Sequence, residues 1–522
     1  MKKRGLRILF AIALGVVLSL GALAGCNFKK TEINKIDPDA DASVKPALKV
    51  LLPYVSDTMN SNPAIGLINE MTGYTVSYDQ LPTGASAESN LTGIIIDKKT
   101  DYNALKLTKN QFNKYAVMSA AFADITDVVN SPKFAVMKNA IKQEAWDAVT
   151  YNGRILGVPD SASNDNIDKS IIIRKDIMYT LTNPDTGEKY TEVPKTFDGF
   201  KKLLQAFKAQ TGKTTAFTLP SNIQVVGPIA AAFGVKQEWE DKDGELMHMI
   251  ENPGFAEYAA QMRALRTEGL LDSAMQTNSF SHCAQEFAKG NSIATVSNFW
   301  EMATVSEQLN ANGGRKMENC VDFAYGFTDA DGNVTTWQSS GVSYVTVIPN
   351  WMASSGIHVM HMIQEKLRDE NFIRLVAGDA GVHYNYNSIT KEYEPTARFG
   401  QDKTSADHFV TGTNDRIYNT WWTQVVVKGN DAYYYQWRNT NTDAFNSVDH
   451  PLIGVRSPAK FAPPLKTYSG RAAGMEDYFN AEVTKLIYGN DASVTVQSIL
   501  SGWSGGENVA AVKEIKDWYK NR

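Results

Sequence analysis

Apolar and polar residues follow two different periods in the part of the chain that begins near residue 47. An apolar run at residues 47–52 predicts a strand, and the spacing of apolar residues at 63–71 predicts a helix that ends at Gly73. Residues 74–78 alternate between apolar and polar types, which predicts a second strand. A strand, a helix and a strand at this spacing form a βαβ unit, so the sequence predicts a parallel sheet.

Helical periodicity and capping residues mark two further segments. Thr196 is a suitable N-cap and Gly212 a suitable stop for the helix between them. Another helix is expected to begin near Pro132. The aligned apolar residues are Phe200, Leu203, Leu204 and Phe207 in the first helix, and Phe134, Met137, Ile141 and Ala145 in the second.

A strong turn signal precedes the most informative stretch of the chain. Asn152 and Gly153 lie between aromatic and aliphatic residues, which predicts a β-hairpin. A strand and then a polar tract at residues 160–166 follow the hairpin. Further strands are predicted at residues 292–296 and 342–348.

The C-terminal part is harder to interpret. No pattern orders residues 385–470, which are polar and aromatic. Residues 478–487 predict a helix, and the glycine-rich run at 501–506 is expected to break it. A last helix is expected to reach Trp518.

Length and charge restrict the class of protein. The chain has 522 residues, of which 43% are hydrophobic, and its formal net charge is −5. This length exceeds one ordinary domain, so two lobes are expected. The small net charge argues against a nucleic-acid partner. The 22 Tyr, 22 Phe and 10 Trp residues supply either large cores or flat faces for a ligand.

Residues 1–25 predict a targeting segment. Basic residues precede an apolar stretch at 8–20, which is too short for a stable membrane span. Residues 23–26, Leu-Ala-Gly-Cys, are similar to a bacterial lipobox, in which the cysteine, here Cys26, is lipidated and becomes the mature N-terminus. An ordinary secretory cleavage site is the alternative. Residues 27–46 are polar without a helical period, which predicts a flexible tether.

The other cysteines and the histidines give no sign of a metal or a cofactor. Cys283 and Cys320 form either a disulfide or two separate buried thiols, and the second is favoured because nothing fixes their geometry. Residues 329–333 resemble a calcium loop, but the glycine position and the missing glutamate favour a hairpin turn. His358 and His361 lack a carboxylate at metal-ligand spacing. No cofactor is therefore expected.

The order of these segments is similar to that of a known family. Residues 151–159, the apolar run 171–173 and the helix start at 193–196 resemble the first interlobe crossing of extracellular solute-binding proteins of sugar ABC importers. The resemblance is strongest to the large lipoprotein oligosaccharide binders. Residues 268–271, Glu-Gly-Leu-Leu, and the glycine-punctuated loop at 378–384 resemble later segments of the same proteins. In this order, the resemblance covers nearly the whole mature chain.

This resemblance implies an α/β fold of two lobes, periplasmic-binding-protein-like (type II), with a three-segment hinge. The crossings between the lobes are expected near Val158, Val321 and Ala377. The expected division is residues 1–25 as a lipoprotein signal peptide, 26–46 as a flexible tether, 47–158 plus 321–376 as the first lobe, and 159–320 plus 377–522 as the second lobe.

A sugar needs flat apolar platforms with hydrogen-bonding groups at their edges. Such groups are expected in loops at the carboxyl ends of strands, where open α/β sheets bind ligands. Trp300 follows the predicted strand 292–296 directly. Maltose-binding-type proteins, which this stretch resembles, carry a stacking tryptophan at the matching place. Trp300 is therefore expected to stack on a sugar ring, with core packing as the alternative.

The remaining candidates lie in loops or near the expected crossings. They are Asn164 and Asp165 past the first crossing, Trp337, Ser339 and Ser340 before a strand, Tyr54 and Asp57 after the first strand, His383 and Tyr384 in the glycine-rich loop, and Asn222 and Gln224 in another loop. Trp421 and Trp422 would face opposite ways on a strand, so at most one of them is expected to contact ligand.

The resemblance implies a receptor on the extracytoplasmic face of the cell membrane, anchored through Cys26. This receptor captures a carbohydrate between its lobes and delivers it to an ABC permease, and a monomer is expected. The sequence shows no convincing pairing of a nucleophile with a base, so the chain is not expected to be an enzyme. Two alternatives stay open: a secreted glycan-active enzyme, and a surface sensor or adhesin of the same fold.

Overall fold

The computed structural model of the protein describes residues 32–53, 59–82, 85–98, 100–118, 120–402, 409–439 and 452–522, apart from the side chains of residues 85 and 162–165. The strands within these residues are β1 (Leu48–Leu52), β2 (Val76–Gln80), β3 (Ala104–Thr108), β4 (Thr150–Tyr151), β5 (Arg154–Ile155), β6 (Val158–Ile167), β7 (Ser170–Arg174), β8 (Trp239–Lys242), β9 (Glu245–His248), β10 (Ala294–Ser297), β11 (Val321–Ala324), β12 (Val334–Val347), β13 (Tyr384–Asn387), β14 (Glu392–Pro395) and β15 (Leu452–Val455).

Helices surround these strands. The α-helices are α1 (Pro63–Thr72), α2 (Ala85–Asp97), α3 (Lys109–Ala116), α4 (Thr126–Asn130), α5 (Ala135–Ala140), α6 (Gln143–Ala148), α7 (Lys175–Met178), α8 (Phe197–Thr211), α9 (Gly227–Ala230), α10 (Gly254–Thr267), α11 (Phe280–Lys289), α12 (Met302–Ala311), α13 (Met317–Cys320), α14 (Gly356–Leu367), α15 (Asp369–Ala377), α16 (Ala397–Asp402), α17 (Tyr418–Trp421), α18 (Asp431–Trp437), α19 (Tyr468–Tyr488), α20 (Val496–Ser504) and α21 (Val509–Lys520). A π-helix covers Trp422–Val427.

The larger sheet has the order β15-β12-β3-β1-β2, and β6 also pairs with β12. Leu48 lies opposite Val76 and Val50 lies opposite Ala104, both in parallel register. α1 precedes β2 and ends at Gly73, whose φ of 71° gives the left-handed conformation of a helix stop. The predicted βαβ unit and its parallel sheet are confirmed.

The smaller sheet has the order β10-β7-β11, and both outer strands run antiparallel to β7. Every residue of β7 is buried, which explains its continuous apolar run, because the sheet is covered on both faces. Ile171 and Ile173 belong to the core that includes α8 and α10. Ile172 packs instead with α11 and α12 on the opposite face.

Two large hydrophobic cores divide the molecule. The first contains buried residues between 36 and 158 and between 342 and 425. The second contains buried residues between 171 and 327 and between 475 and 519. A smaller cluster that includes residues 284–323 covers the other face of β7. Each large core has its own sheet and helices, so the predicted two-lobed α/β fold is confirmed.

Within the described residues, three stretches of chain connect the lobes. β6 and β12 run antiparallel over their length, with Val158 opposite Thr346 at one end and Ile167 opposite Gln338 at the other. β12 also pairs with β3 at its first-lobe end and with β15 at its other end. The third connection leads from the π-helix, which contributes to the first core, to α18, which contributes Ala432 to the cluster around β7.

Gly341 lies in the middle of β12, where the register shifts before and after it mark an irregular ladder. Its φ is +133°, and a Cβ at this position would lie 2.4 Å from Cβ of Lys460. Glycine is therefore required here, because any side chain would be strained and would collide with a neighbouring segment. Irregular pairing of this kind increases the local twist of the strand between the lobes.

The connections differ in part from the expected positions. The crossing expected near Val158 coincides with the start of β6. Val321, however, begins β11 inside the smaller sheet, and Ala377 is fully buried in the first core. Each of these residues lies at the end of a helix or strand. In a sequence, such an end looks the same as the point where the chain crosses between lobes. The assignment of residue ranges to the lobes stays a proposal.

Residues 32–46, here called the N-terminal arm, pack on the first lobe, although the sequence predicts a flexible tether up to residue 46. Ile36 is only 2% exposed and lies in the first core. The Asp124 N–H donates to the Asn34 carbonyl at 2.9 Å, and the Ile36 N–H donates to the Asp124 carbonyl at 3.1 Å. One buried isoleucine within a polar segment is too weak a pattern to predict this docking.

Two predicted helices have different boundaries in the structure. The helix expected from Pro132 is interrupted at Ile141, whose φ and ψ of −104° and 135° are extended. A break in the helix was expected at residues 501–506. In the structure α20 continues to Ser504, so the break begins only after that residue. Trp503 is buried and stacks on His248 at 4.2 Å, so packing overrides the low helix propensity of Gly502.

Cys283 and Cys320 are both buried free thiols, as favoured from the sequence. Burial raises the pKa of the Cys283 thiol to about 12, so this sulfur is unreactive at neutral pH. Among the described residues, no helix combines the length and the apolar character needed to cross a bilayer.

The core position Leu203 in α8 gives a direct test of the second core. Leu203 is fully buried, so we expect Leu203→Ala to lower the free energy of unfolding by about 2–5 kcal/mol through lost burial and a cavity. Gln205→Ala on the exposed side of the same helix should change it by less than about 0.5 kcal/mol. Urea unfolding followed by circular dichroism measures both, and equal effects would contradict the assigned core.

Candidate functional site

The first lobe presents the carboxyl ends of its parallel strands at one edge. β1, β2 and β3 run in the same direction, so the loops after them leave from this edge. Thr108, the last residue of β3, lies opposite Tyr344 of β12, and Tyr344 lies opposite Asp160 of β6. The start of β6 therefore lies at the edge where open α/β sheets bind ligands.

The second lobe presents an edge at the other end of β6. Ser170 begins β7 three residues after β6 ends, and it lies opposite Ser297, the last residue of β10. Phe217 pairs with Ala294 in parallel register, so the residues after 217 leave the sheet at the same edge as Ser297. The segments that follow Ser297 and Phe217 therefore border the space that β6 and β12 span between the lobes.

Trp300 is held at this second-lobe edge with part of its ring in solvent. It is 48% exposed, which is unusual for a large apolar side chain. Its ring meets the Phe299 ring edge-to-face at a centroid distance of 4.7 Å. The Asn298 N–H donates to the Glu301 carboxylate at 3.1 Å and fixes the turn that carries both rings. Trp300 therefore offers a supported flat face, and its stacking on a sugar ring stays a prediction.

An aromatic cluster lies behind Trp300 and links it to the third connection. Phe299 contacts Trp422 at 5.0 Å and Tyr433 at 5.9 Å. Trp422 also lies 6.2 Å from Tyr418. These rings come from both lobes, so the support of Trp300 depends on how the third connection packs.

Most residues of this cluster were not predicted from the sequence. Trp421 and Trp422 lie in α17 and the π-helix, so the assumption that they share a strand is wrong. Trp421 is buried in the first core, whereas Trp422 contacts Phe299. Tyr433 falls in the stretch that no pattern could order. The signals in the sequence were the aromatic residue directly before Trp300 and the adjacent Trp421 and Trp422.

Charged groups of both signs lie near Glu301, the residue that follows Trp300. Lys169 lies 3.7 Å from the Asp168 carboxylate in the link between β6 and β7. Burial raises the pKa of the neighbouring Glu301, and the N–H of Asn298 opposes this rise. Partly buried acidic and basic groups beside an exposed ring give the donors and acceptors that polar hydroxyl ligands need.

A buried polar network holds the start of β6 in the first lobe. The Lys106 ammonium lies 2.6 Å from the Asp160 carboxylate and donates to the Val410 carbonyl at 2.7 Å. The Thr413 hydroxyl donates to Asp160, and the Ser161 hydroxyl donates to the Asp415 carboxylate at 2.5 Å. One end of the connecting strand is thus fixed by charge-assisted hydrogen bonds.

Lys366 lies beside this network and donates to the Phe409 carbonyl. Burial, together with nearby Lys106, lowers the pKa of Lys366 to about 7, and Asp160 opposes this shift. The folded protein therefore holds a lysine that is only partly charged at neutral pH.

Trp337, Ser339 and Ser340 lie on β12 between the lobes. The Trp337 indole N–H donates to the Val235 carbonyl at 3.0 Å, and its ring packs on Gly227. The Ser339 hydroxyl donates to the Asn166 carbonyl at 3.5 Å. These contacts serve packing of the second lobe and of the β6–β12 pair, and a ligand contact for the three residues stays a prediction.

His383 and Tyr384 are engaged within the first lobe. The Asp379 N–H donates to His383 Nδ1 at 2.8 Å. The Tyr384 ring is buried and lies 4.8 Å from Trp421 and 5.8 Å from Tyr393. Both side chains are therefore occupied by neighbours rather than presented as a free face.

The other predicted ligand residues differ in what the structure describes. Asn222 is exposed, and the Gln224 side chain donates to the Ser221 carbonyl at 2.7 Å, both in the segment after Phe217. Three predicted residues lie outside the described part of the chain: Cys26, Tyr54 and Asp57. Asn164 and Asp165 have their backbone within β6, but their side chains are not described. In the described residues, no group of three or more His, Cys, Asp or Glu side chains could hold a metal ion.

These features define a class of protein: the described residues form two α/β lobes with three connections, an arrangement typical of proteins that bind a ligand between lobes. A sequence profile described as bacterial extracellular solute-binding protein matches residues 67–354, more than half of the chain. The chain belongs to this family. Binding, rather than catalysis, is what the family's description names.

A curated relative, an uncharacterized protein in the butB 5′ region of Niallia circulans, is 22% identical over 265 residues, which are 51% of this chain and 99% of that protein. The structure is similar to the alginate-binding protein AlgQ2 without calcium ion, with a TM-score of 0.62, 14% identity, and coverage of 91% of this chain and 98% of that chain.

Two further solved structures come from named bacteria. An HMO-binding, ABC-transporter-associated solute-binding protein from Bifidobacterium longum infantis has a TM-score of 0.61, 12% identity, and coverage of 92% of this chain and 99% of that chain. The N-glycan transport solute-binding protein NgtS from Streptococcus pneumoniae has a TM-score of 0.58, 12% identity, and the same coverage. At these identities the similarity shows the fold.

Lys366 yields a test of the network at the base of β6. Because burial lowers its pKa from 10.5 to about 7, the unfolded chain binds more protons than the folded one between these values, and stability rises with pH there. We expect Lys366→Met to reduce the gain in unfolding free energy from pH 7 to pH 9 by about 2 kcal/mol.

Urea unfolding at the two pH values measures this gain for the native chain and the variant. The exposed Lys142→Met serves as a control and should keep the native pH dependence. An unchanged gain in Lys366→Met would mean that Lys366 is fully charged in the folded protein.

Proposed function

We propose that the protein is a membrane-tethered extracellular receptor that captures a carbohydrate, and more narrowly an oligosaccharide, between its lobes and delivers it to an ABC permease. The observation that carries this proposal is the half-exposed, supported ring of Trp300 at the second-lobe edge. Sugar rings present apolar C–H faces, which stack on flat aromatic surfaces, and peripheral hydroxyls, which need donors and acceptors.

The named functions of similar structures support the carbohydrate class. Their descriptions name alginate, HMO and N-glycan as what those proteins bind or transport. One of them is also described as ABC-transporter-associated. These proteins share the fold of this chain at 12–14% identity, so sugar identity, linkage and length do not transfer.

The connections support a closing motion as the mechanism of capture. β6 and β12 are paired with each other from one lobe to the other, while each end is held in its own lobe. A rotation of the lobes would therefore change dihedral angles mainly in these strands and in the third connection. A ligand that contacts both edges only in the closed arrangement shifts the equilibrium towards closure.

Membrane attachment through Cys26 supports delivery to a permease. The residues before Cys26 have the basic and apolar parts of a signal peptide, and a lipidated cysteine leaves the folded protein outside the membrane. Because no phosphate-binding loop occurs in the sequence, ATP would be used by another subunit. Lipidation and permease docking are parts of this proposal.

A ligand panel with a matched pair of variants tests the proposal. We expect one or more neutral or acidic oligosaccharides to raise the melting temperature of the native chain with concentration, by mass action. Trp300→Ala should weaken binding roughly tenfold, or about 1.4 kcal/mol, by removing the stacking surface. Its free energy of unfolding should fall by no more than about 1.5 kcal/mol, since half of the ring is exposed and its aromatic contact is with Phe299.

Tyr179→Ala is the control. Tyr179 is 41% exposed but follows the opposite end of β7, away from the Ser170 edge. The Tyr179→Ala variant should bind glycan as tightly as the native chain does. The proposal fails if no glycan shifts melting, and the site assignment fails if Trp300→Ala and Tyr179→Ala bind equally well or if Trp300→Ala strongly destabilises the empty protein.

A further inference from the structure

The N-terminal arm is joined to the first lobe by a specific pair of amides. The Asn34 N–H donates to the Asn350 side-chain oxygen at 2.7 Å, and the Asn34 amide donates to the Asn350 carbonyl at 2.9 Å. The Asn350 amide in turn donates to the Glu32 carbonyl at 3.1 Å. Asn350 is 4% exposed, so its polar groups depend on the arm for these partners.

Apolar packing and ion pairs extend this contact along the arm. The Ile36 side chain fills the space beside Gly356, where a Cβ would lie 2.3 Å from Ile36 Cδ1. Lys133 pairs with Asp39 at 2.6 Å. Farther along, the Lys45 ammonium donates to the Thr72 carbonyl at 2.8 Å. The arm is therefore part of the first lobe from Glu32 onwards.

Docking of the arm shortens the connection to the proposed lipid anchor. Five residues lie between Cys26 and Glu32, and the six steps from one Cα to the next span at most about 21 Å when fully extended. A free tether from Cys26 to residue 46 would span up to about 70 Å. A folded chain of this length has a radius of gyration of about 24 Å. The connection from Cys26 to Glu32 is thus shorter than the radius of gyration, whereas a free tether up to residue 46 would be longer than it.

We propose that the arm turns the first lobe towards the bilayer, with the surface around Glu32, Asn34 and Asn350 nearest to the lipid. This inference rests on the lipid anchor of the proposed function and adds which lobe the anchor constrains. Lys29 and Lys30 lie between Cys26 and the arm in sequence, and basic residues beside a lipid anchor are attracted to anionic headgroups. The second lobe is then the one farther from the membrane.

Energy transfer between labelled lobes and a labelled bilayer tests this orientation. The lipidated full chain is reconstituted on vesicles of phosphatidylcholine and phosphatidylglycerol that contain an acceptor lipid. Donor dyes are placed at Ser354→Cys beside the arm or at Ser273→Cys in the second lobe, both exposed positions. We expect at least twofold higher transfer from Ser354→Cys. Equal transfer, or higher transfer from Ser273→Cys, would overturn the inference.

Variants of the arm test whether its contacts set the orientation. Asn34→Ala removes the side-chain hydrogen bond to the Asn350 carbonyl and keeps the one from the backbone N–H. We expect it to lower transfer from Ser354→Cys by up to about half. Ile36→Ala should act in the same direction. Lys35→Ala, next to both, breaks only an exposed ion pair with Asp127 and should leave transfer unchanged. Native transfer in both Asn34→Ala and Ile36→Ala would contradict a role for the arm.

Cys26→Ser separates failure of the anchor from failure of the orientation. If the native chain floats with vesicles no better than Cys26→Ser, the lipid anchor is wrong, and the orientation is overturned together with it. If the native chain floats and Cys26→Ser does not, but the two dyes give equal transfer, only the orientation is wrong. Glycan-induced melting shifts should be the same in Cys26→Ser and the native chain, because the proposed ligand site does not involve the anchor.

Discussion

The antiparallel ladder between β6 and β12 is the interaction on which the arrangement of the lobes depends. It is the longest pairing in the described part of the chain, and it continues from the first-lobe sheet to the edge of the second lobe. Its first-lobe end is fixed by the buried ion pair of Lys106 and Asp160. Its middle is irregular at Gly341, where no side chain fits. The β6–β12 ladder is thus firmly anchored at one end and irregular in its middle. Two rigid cores joined in this way are suited to rotate about the ladder.

The candidate site follows from this ladder and from strand direction. In the first lobe, parallel strands bring their loops to the space beside the β6–β12 ladder. In the second lobe, the paired ends of β7 and β10 bring a second set of loops to the same space. Trp300 gains its exposed position from a tight turn after β10, and the aromatic cluster behind it includes residues of the third connection. The proposed closing motion of the lobes would therefore also act on the proposed stacking ring, through this group of side chains.

Local patterns predicted the regular elements well, because their causes are local. The βαβ unit around Gly73 and the helix between Thr196 and Gly212 follow from periodicity and capping. The two later connections and the docking of Ile36 depend on contacts between residues far apart in sequence. In the candidate site, Trp300 was proposed from its place after a strand, whereas the contact between Phe299 and Tyr433 depends on the packing of the third connection. Trp337 shows the converse, since its ring packs on Gly227.

Small-angle X-ray scattering, without ligand and with the glycan that raises the melting temperature most, tests the central claim most directly. If two rigid lobes close around a ligand, binding should reduce the radius of gyration and the largest dimension, and Trp300→Ala should need more glycan for the same change. Superimposable curves at saturating glycan would contradict the account, because the ligand would then bind without moving the lobes.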